Sequence, residues 1–232
     1  MRRFITSHKN FLIFFIIGSY CLLAQKENRK TLAISPFQNL KVSSNIEVNL
    51  IQAESNMLLV YGKNSDNVTV SIKNKTLKIH LIGGSFINTE KTKIDLYHSN
   101  LLDRISVVKG ASLFSKYPIN QTSLSIEAKA NGIINLELIT ERLDTNISLG
   151  GKVYLKGKVV NHELIIKTSG LCEAEKLNTE QTKLISKGGA YAYLKTRSLL
   201  EASVYGGILR EFGNPNKRIT ENRLGGKIYI EK

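Results

Sequence analysis

Three kinds of residue in this 232-residue chain could act chemically on a ligand: alternating acids, the thiol of Cys172, and tyrosines set near lysines. Glu173 and Glu175 alternate with Cys172 and Ala174, and Asp95 stands between Ile94 and Leu96. Glycoside hydrolysis needs two carboxyl groups converging across a cleft, about 5 to 9.5 Å apart. Successive side chains of a strand point to opposite sides, so alternation with apolar neighbours turns these acids outward. A solvated strand face is their simplest reading. Cys172 shares the inward phase with Ala174 and reads as a small buried hydrophobe. His80, His98 and His162 have no second ligand-type residue at metal-binding spacing, so no metal or other cofactor is signalled.

Gly150-Gly151-Lys152 and Gly225-Gly226-Lys227 look like pieces of a phosphate loop. A strand pattern follows each, so no helix N-terminus is there to hold an anion. Tyr154 and Tyr229 come three residues after a glycine, in the outward phase, with Lys152 and Lys227 two positions earlier. If equivalent units stack in register, these four residues form one aromatic and basic strip able to stack on sugar rings. Tyr191 and Tyr193 fall in the inward phase and are expected to fill the core.

Periodicity defines the elements that would carry these residues. Ile46-Glu47-Val48-Asn49-Leu50, Val68-Thr69-Val70-Ser71-Ile72 and Leu77-Lys78-Ile79-His80-Leu81 place apolar side chains two apart, the period of a half-buried strand. Turn formers separate them, including Gly83-Gly84-Ser85. Only Leu136 to Leu143 also admits a helical period, and its neighbours decide for strand. From Gly110 onward a longer period appears, at Gly110-Ala111, Asn131-Gly132, Gly150-Gly151, Ser169-Gly170, Gly188-Gly189, Gly206-Gly207 and Gly225-Gly226. From Gly132 the second members are 19, 19, 19, 18 and 19 residues apart. Core-type residues stand two and four positions later: Ile134 and Leu136, Val153 and Leu155, Cys172 and Ala174, Tyr191 and Tyr193, Ile228 and Ile230. After Gly207 the pattern gives Leu209 and Glu211. The 18-residue step suggests a slip there that puts Ile208 or Phe212 inside instead.

A fixed period with strands in each unit is the mark of a solenoid, whose coils bury their inner faces only by stacking. The expected fold is therefore all-β, a single-domain β-solenoid with rungs of about 19 residues in the C-terminal half. It is right-handed and parallel β-helix-like, or flattened; the aliphatic hexads of a left-handed helix are missing. Gly110, Gly132, Gly151, Gly170, Gly189, Gly207 and Gly226 are read as its structural turn glycines. The strand that follows the last of them would leave a sheet edge, a route to weak self-association blunted by Glu231 and Lys232.

Arg2, Arg3 and Lys9 precede an apolar run from Phe11 to Ala24, the layout of a secretory signal peptide. The run falls short of the roughly 20 residues that cross a bilayer, and no later stretch approaches that length, so no transmembrane segment is expected once the signal is removed. Cleavage is expected after Ala24, since bulky Tyr20 before Cys21 disfavours a lipid there. Residues 1–24 are then the signal, 25–35 a short linker and 36–232 the domain. Export to the periplasm, the outer-membrane surface or the medium follows. Cys172 alone remains after cleavage, which excludes an intramolecular disulfide. Without Arg2, Arg3 and Lys9, 30 basic residues face 19 acidic ones, a net charge of +11. That surplus suits an anionic partner. The lysines are spread singly between apolar residues, and together with export this argues against nucleic acid.

Pro36-Phe37-Gln38-Asn39-Leu40-Lys41-Val42, the strands from Ser44 to Ile51 and from Leu58 to Gly62, and the later pairs Ser169-Gly170, Gly188-Gly189 and Gly206-Gly207 before a closing Gly225-Gly226-Lys227-Ile228 carry a family resemblance. They resemble the auto-transporter adhesin head domain, or GIN domain, of exported Bacteroidetes proteins, from Leu32 to Glu231. The resemblance implies a β-helical fold and a cell-envelope setting, with structural rather than catalytic motifs. The function expected is that of a non-catalytic envelope protein, an adhesive or scaffolding solenoid that binds a surface glycan or protein. The alternative is a polysaccharide-active β-helix enzyme, a lyase or hydrolase, which would need converging acids or a metal cluster.

Overall fold

The computed structural model describes residues 29–62, 64–82 and 91–231. The expected signal peptide, Cys21 and the Gly83-Gly84 turn lie outside the described residues. The strands in the first half are β1 (Arg29–Ala33), β2 (Asn39–Ser43), β3 (Ile46–Gln52), β4 (Met57–Tyr61), β5 (Val68–Lys73), β6 (Thr76–Leu81), β7 (Thr92–His98), β8 (Arg104–Val108) and β9 (Ser112–Ser115). The longer strands that follow are β10 (Ile119–Lys129), β11 (Ile133–Ser148), β12 (Lys152–Lys167) and β13 (Leu171–Glu211), then β14 (Lys217–Arg223) and β15 (Lys227–Ile230). One 3-10 turn, Ser65–Asn67, interrupts them. The strand β1 lies inside the segment read as a linker.

These strands wind into a β-solenoid of about 6 turns. Each later coil runs along a first face, bends, returns along a second face and reaches the glycine corner. On the second face β10 pairs in parallel with β8 and with β11, and β8 with β2. On the first face β9 pairs in parallel with both β3 and β11. The repeat thus extends into the first half of the chain, but out of sequence order. The β2–β3 coil sits between the later β6–β7 coil and the β8–β9 coil. Antiparallel partners finish that end: β4 on β7, β1 on β4 and β5 on β6.

Register is set by rows of inward side chains. Val48 lies opposite Leu113, Leu113 opposite Ile134, Ile134 opposite Val153 and Val153 opposite Cys172. All five are fully buried. Strand alternation alone places them there, since their neighbours Asn135, Lys152 and Glu173 are exposed.

The corners are type I′ turns. Ala130 and Asn131, Leu149 and Gly150, and Thr168 and Ser169 take paired positive φ values between 48° and 73°. Gly132 N donates to Lys129 O at 3.1 Å and Gly151 N to Ser148 O at 3.1 Å, closing the turn. Positive φ is therefore met by ordinary residues such as Leu149. The glycine that follows is needed for space: a Cβ on Gly132 would be driven into the carbonyl of Val107, and one on Gly151 into that of Ala128. The peptide ladder continues through the corner, with Asn131 N donating to Leu149 O at 3.1 Å and Lys152 N to Gly132 O at 2.9 Å.

The coil that ends at Ala190 is one residue longer than the repeat and the next, to Gly207, is 17 residues, which corrects two sequence expectations. Tyr154 lies opposite Glu173, 19 residues on, but Lys156 lies opposite Lys176, 20 on, so Glu175 is an extra, bulged residue. The extra residue carries through the second face: Lys167 lies opposite Lys187, and Ser169 N donates to Gly188 O at 3.0 Å. Ala190 then takes the place Gly170 holds in the previous coil, and Gly189 becomes the counterpart of Ser169. Tyr191 N donates to Gly170 O just as Leu171 N donates to Gly151 O. Ala190, Ala192 and Leu194 consequently point inward, while Tyr191 is 43% exposed and Tyr193 is half-buried on the outer face. Neither tyrosine fills the core. The coil after Gly207 keeps the simple rule, with Leu209 and Glu211 fully buried, Ile208 half-buried and Phe212 exposed. The slip lies one coil earlier than the spacing of glycines suggested, because Gly189 hides it.

Corner spacing and backbone angle make separable demands. Gly110 has φ 76° and open space around a Cβ, so Gly110→Ala is expected to cost about 1 kcal/mol from its left-handed backbone alone. Gly151→Ala should cost about 3 kcal/mol, since backbone must move. Urea unfolding of both variants checks the ordering; equal losses would contradict it.

Candidate functional site

The first face carries the strip. Its central outward row follows from the pairings: Phe114 lies opposite Asn135, Asn135 opposite Tyr154 and Tyr154 opposite Glu173. The Tyr191 hydrogen bond sets Tyr193 opposite Glu173. Phe212 N donates to Leu194 O, which sets Arg210 opposite Tyr193, and Arg210 lies opposite Tyr229. The row reads Phe114, Asn135, Tyr154, Glu173, Tyr193, Arg210, Tyr229. Lys152 and Lys227 stand in the adjacent outward row of the same face, each two residues before its tyrosine. Tyr154 and Tyr229 thus share a row but are four coils apart, about 19 Å at the usual strand spacing.

Around Tyr154 the face is concave. A hollow of about 430 Å³ is lined by Phe114, Asn135, Tyr154, Lys116, Lys156 and Glu173, among others. Lys156 Nζ is held 2.8 Å from Glu137. Burial, and then the nearby Glu173 carboxylate, push the Tyr154 phenol above its ordinary range, so it stays a neutral donor at neutral pH. At the far end the Arg210 guanidinium lies 5.3 Å from the Tyr229 ring centroid and 2.9 Å from Glu231.

A second concavity runs along the bend between the two faces. This groove, about 810 Å³, is floored by Thr140, Val159, Thr179 and Thr196 and flanked by Ile139, Lys158, Val160 and Arg197. Beneath its end sits Glu211, a carboxylate in an inward row. Glu211 accepts from Thr196 N at 2.6 Å and from Gly213 N at 2.8 Å, and the Thr196 hydroxyl lies 3.1 Å away. Thr179 and Thr182 extend the network, their hydroxyls 2.7 Å apart. Desolvation raises the Glu211 pKa despite these donors. Sequence reasoning moved Glu211 out of the core; the Gly+4 rule, applied without adjustment, would have found it.

The other chemical candidates are dispersed. Glu173 and Glu175 are exposed on the first face. Asp95 accepts from Asn49 Nδ2 and from Tyr61 Oη, both at 2.9 Å, and burial with that bond pushes the Tyr61 phenol to about 12. Cys172 is fully buried, and burial pushes its thiol to about 12, well away from thiolate chemistry. Among the described residues no group of three or more His, Cys, Asp or Glu side chains is placed to hold a metal ion. His162 is fully buried, with Nε2 3.0 Å from the Thr145 hydroxyl and Nδ1 unpartnered. The turn glycines Gly132, Gly151 and Gly226 occupy corners closed by a turn hydrogen bond, Gly170 takes the matching place, and Gly110 and Gly189 occupy the left-handed position before it. Gly207 packs against the Ala190 backbone. No helix among the described residues is long and apolar enough to cross a membrane.

Burial lowers the His162 pKa from 6.5 to about 4, so the unfolded chain takes up a proton that the folded chain refuses between those values. Stability from this group is complete above about pH 6.5 and falls as pH drops toward 4, by about 3 kcal/mol in all. Glu211 acts in the opposite sense, its stabilisation being lost as pH rises above the usual carboxylate range. His162→Leu should therefore flatten the acid arm of a stability–pH curve; an unchanged slope between pH 6.5 and 4 would contradict the assignment.

Among known proteins, residues 36–215 match the family described as "Putative auto-transporter adhesin, head GIN domain". No curated protein matches the chain. A putative adhesin from Bacteroides fragilis NCTC 9343 superposes with a TM-score of 0.81 at 21% identity, covering 90% of this chain and 98% of that one. A putative adhesin from Parabacteroides distasonis ATCC 8503 gives 0.65 at 19% identity, over 89% and 97% of the two chains. A putative lipid binding protein from the same strain gives 0.62 at 17% identity, over 90% and 98%. At such identities these structures speak for the fold alone. The family match, which spans most of the length and agrees with the motifs from Pro36 onward, carries the assignment: the chain belongs to the auto-transporter adhesin head GIN domain family.

Proposed function

We propose that the chain is an exported, non-catalytic protein of the cell envelope, whose rigid solenoid presents the first face as an adhesive surface for a glycan or protein. The observation that carries this reading is the outward row through Tyr154 and Tyr229, bordered by Lys152 and Lys227, on strands locked by parallel pairing. Aromatic rings held on a rigid surface offer contact area with little ordering cost, and the lysines favour anionic groups. The family name agrees in kind. Catalysis finds less support, because Glu173 and Glu175 are exposed on one strand and Glu211 is tied up by Thr196 and Gly213.

The mature chain should bind a subset of a glycan array or intact bacterial surfaces, and Tyr154→Ala with Tyr229→Ala should weaken that binding about tenfold or more. Both side chains face outward, so the unfolding midpoint should barely move. Undiminished binding in the double variant would sink the reading.

A further inference from the structure

The first face repeats at twice the coil spacing. Phe114, Tyr154, Tyr193 and Tyr229 occupy alternate places in the central row, with Asn135, Glu173 and Arg210 between them. Each aromatic has a lysine two residues away in sequence, on one side of the row or the other: Lys152 and Lys227 precede Tyr154 and Tyr229, and Lys116 and Lys195 follow Phe114 and Tyr193. In the intervening coils the residues at those flanking positions are Ile133 and Glu137, Leu171 and, by register, Lys176, and Ile208 and Phe212. One ring, with a lysine beside it, therefore recurs every second coil, about 9.6 Å, over a row of about 29 Å, while Lys156, Lys176 and Lys195 keep positive charge along three successive coils of the same face. This period exists only because the Glu175 bulge turns Tyr193 outward.

We propose that this face reads a linear polysaccharide of extended, β-linked disaccharides with one acidic sugar per repeat, lying along the solenoid axis. Two coils match the length of one extended disaccharide. Each repeat would set one sugar ring against an aromatic side chain and one carboxylate near a lysine. Lys152, Lys195 and Lys227 are in none of the ion pairs seen among the described residues, and so are available to an anion. Charge supports an acidic ligand over a neutral one: near the row Lys116, Lys152, Lys176, Lys195 and Lys227 outnumber Glu173 and Glu175, once the pairs Lys156–Glu137 and Arg210–Glu231 are set aside. The inference rests on the adhesive reading and adds to it a ligand class, a direction and a period.

Calorimetry on the mature chain with even-numbered oligosaccharides of alternating β-linked glucuronate and N-acetylglucosamine, from two to eight sugars, tests it, with neutral chitin oligomers as controls. Affinity should climb with each added disaccharide, by about tenfold or more across the series, and fall with salt. Tyr193→Ala should weaken the octasaccharide more than the disaccharide, and Lys152→Glu should weaken acidic but not neutral oligomers. Both side chains face solvent, and an unchanged unfolding midpoint confirms that the variants are folded. Affinity that is flat with length, equal for neutral oligomers, or absent for all of them overturns the periodic ligand. If the Tyr154, Tyr229 double variant still loses surface binding in that case, the adhesive reading stands without it.

Discussion

Parallel pairing between successive coils is the constraint on which the molecule depends. A coil that bonds its backbone to the coils on either side must trace nearly the same path as they do, corners included. At the corner this leaves a carbonyl where a β-carbon would stand, as Val107 does under Gly132 and Ala128 under Gly151. The glycines are thus a consequence of stacking more than of backbone angle. Leu149 and Thr168 show as much, since they take the left-handed positions without being glycine.

Stacking turns every residue position into a row, and rows transmit local irregularities. A single bulged residue at Glu175 exchanges inside for outside on the first face of the next coil, placing alanines in the core and tyrosines on the surface. Gly207 then packs on Ala190 and restores the phase, so Leu209 lies inward again. The same inward phase brings Glu211 into the core, where backbone amides of Thr196 and Gly213 answer its buried carboxylate. Without those donors the charge would have no place there.

Much of this was legible in the sequence. Alternation at Ile46 to Leu50 and the recurrence of Gly132, Gly151 and Gly170 gave strands, coils and corners in their places, because both signals are local and repeated. The phase of Tyr191 and Tyr193 was not legible. A bulge leaves no mark in the glycine spacing when a neighbouring glycine, here Gly189, slides into the vacated position. The out-of-order coil of β2 and β3 was equally hidden, since pairing between distant strands is not written in either strand. At the candidate site the outward phase of Tyr154 and Tyr229 could be read from spacing. Phe114 and Tyr193, which complete the row, needed the observed register.

The inversion caused by the Glu175 bulge is the central structural claim, and thiol labelling reaches it most directly. In a Cys172→Ala background, which removes the buried native thiol, Tyr193→Cys and Ala192→Cys are compared for reaction with a thiol reagent under native conditions. The structure predicts rapid labelling at position 193 and protection at position 192 until the chain unfolds. Protection at 193 with rapid labelling at 192 would contradict it, returning the tyrosines to the core and dissolving the outward row.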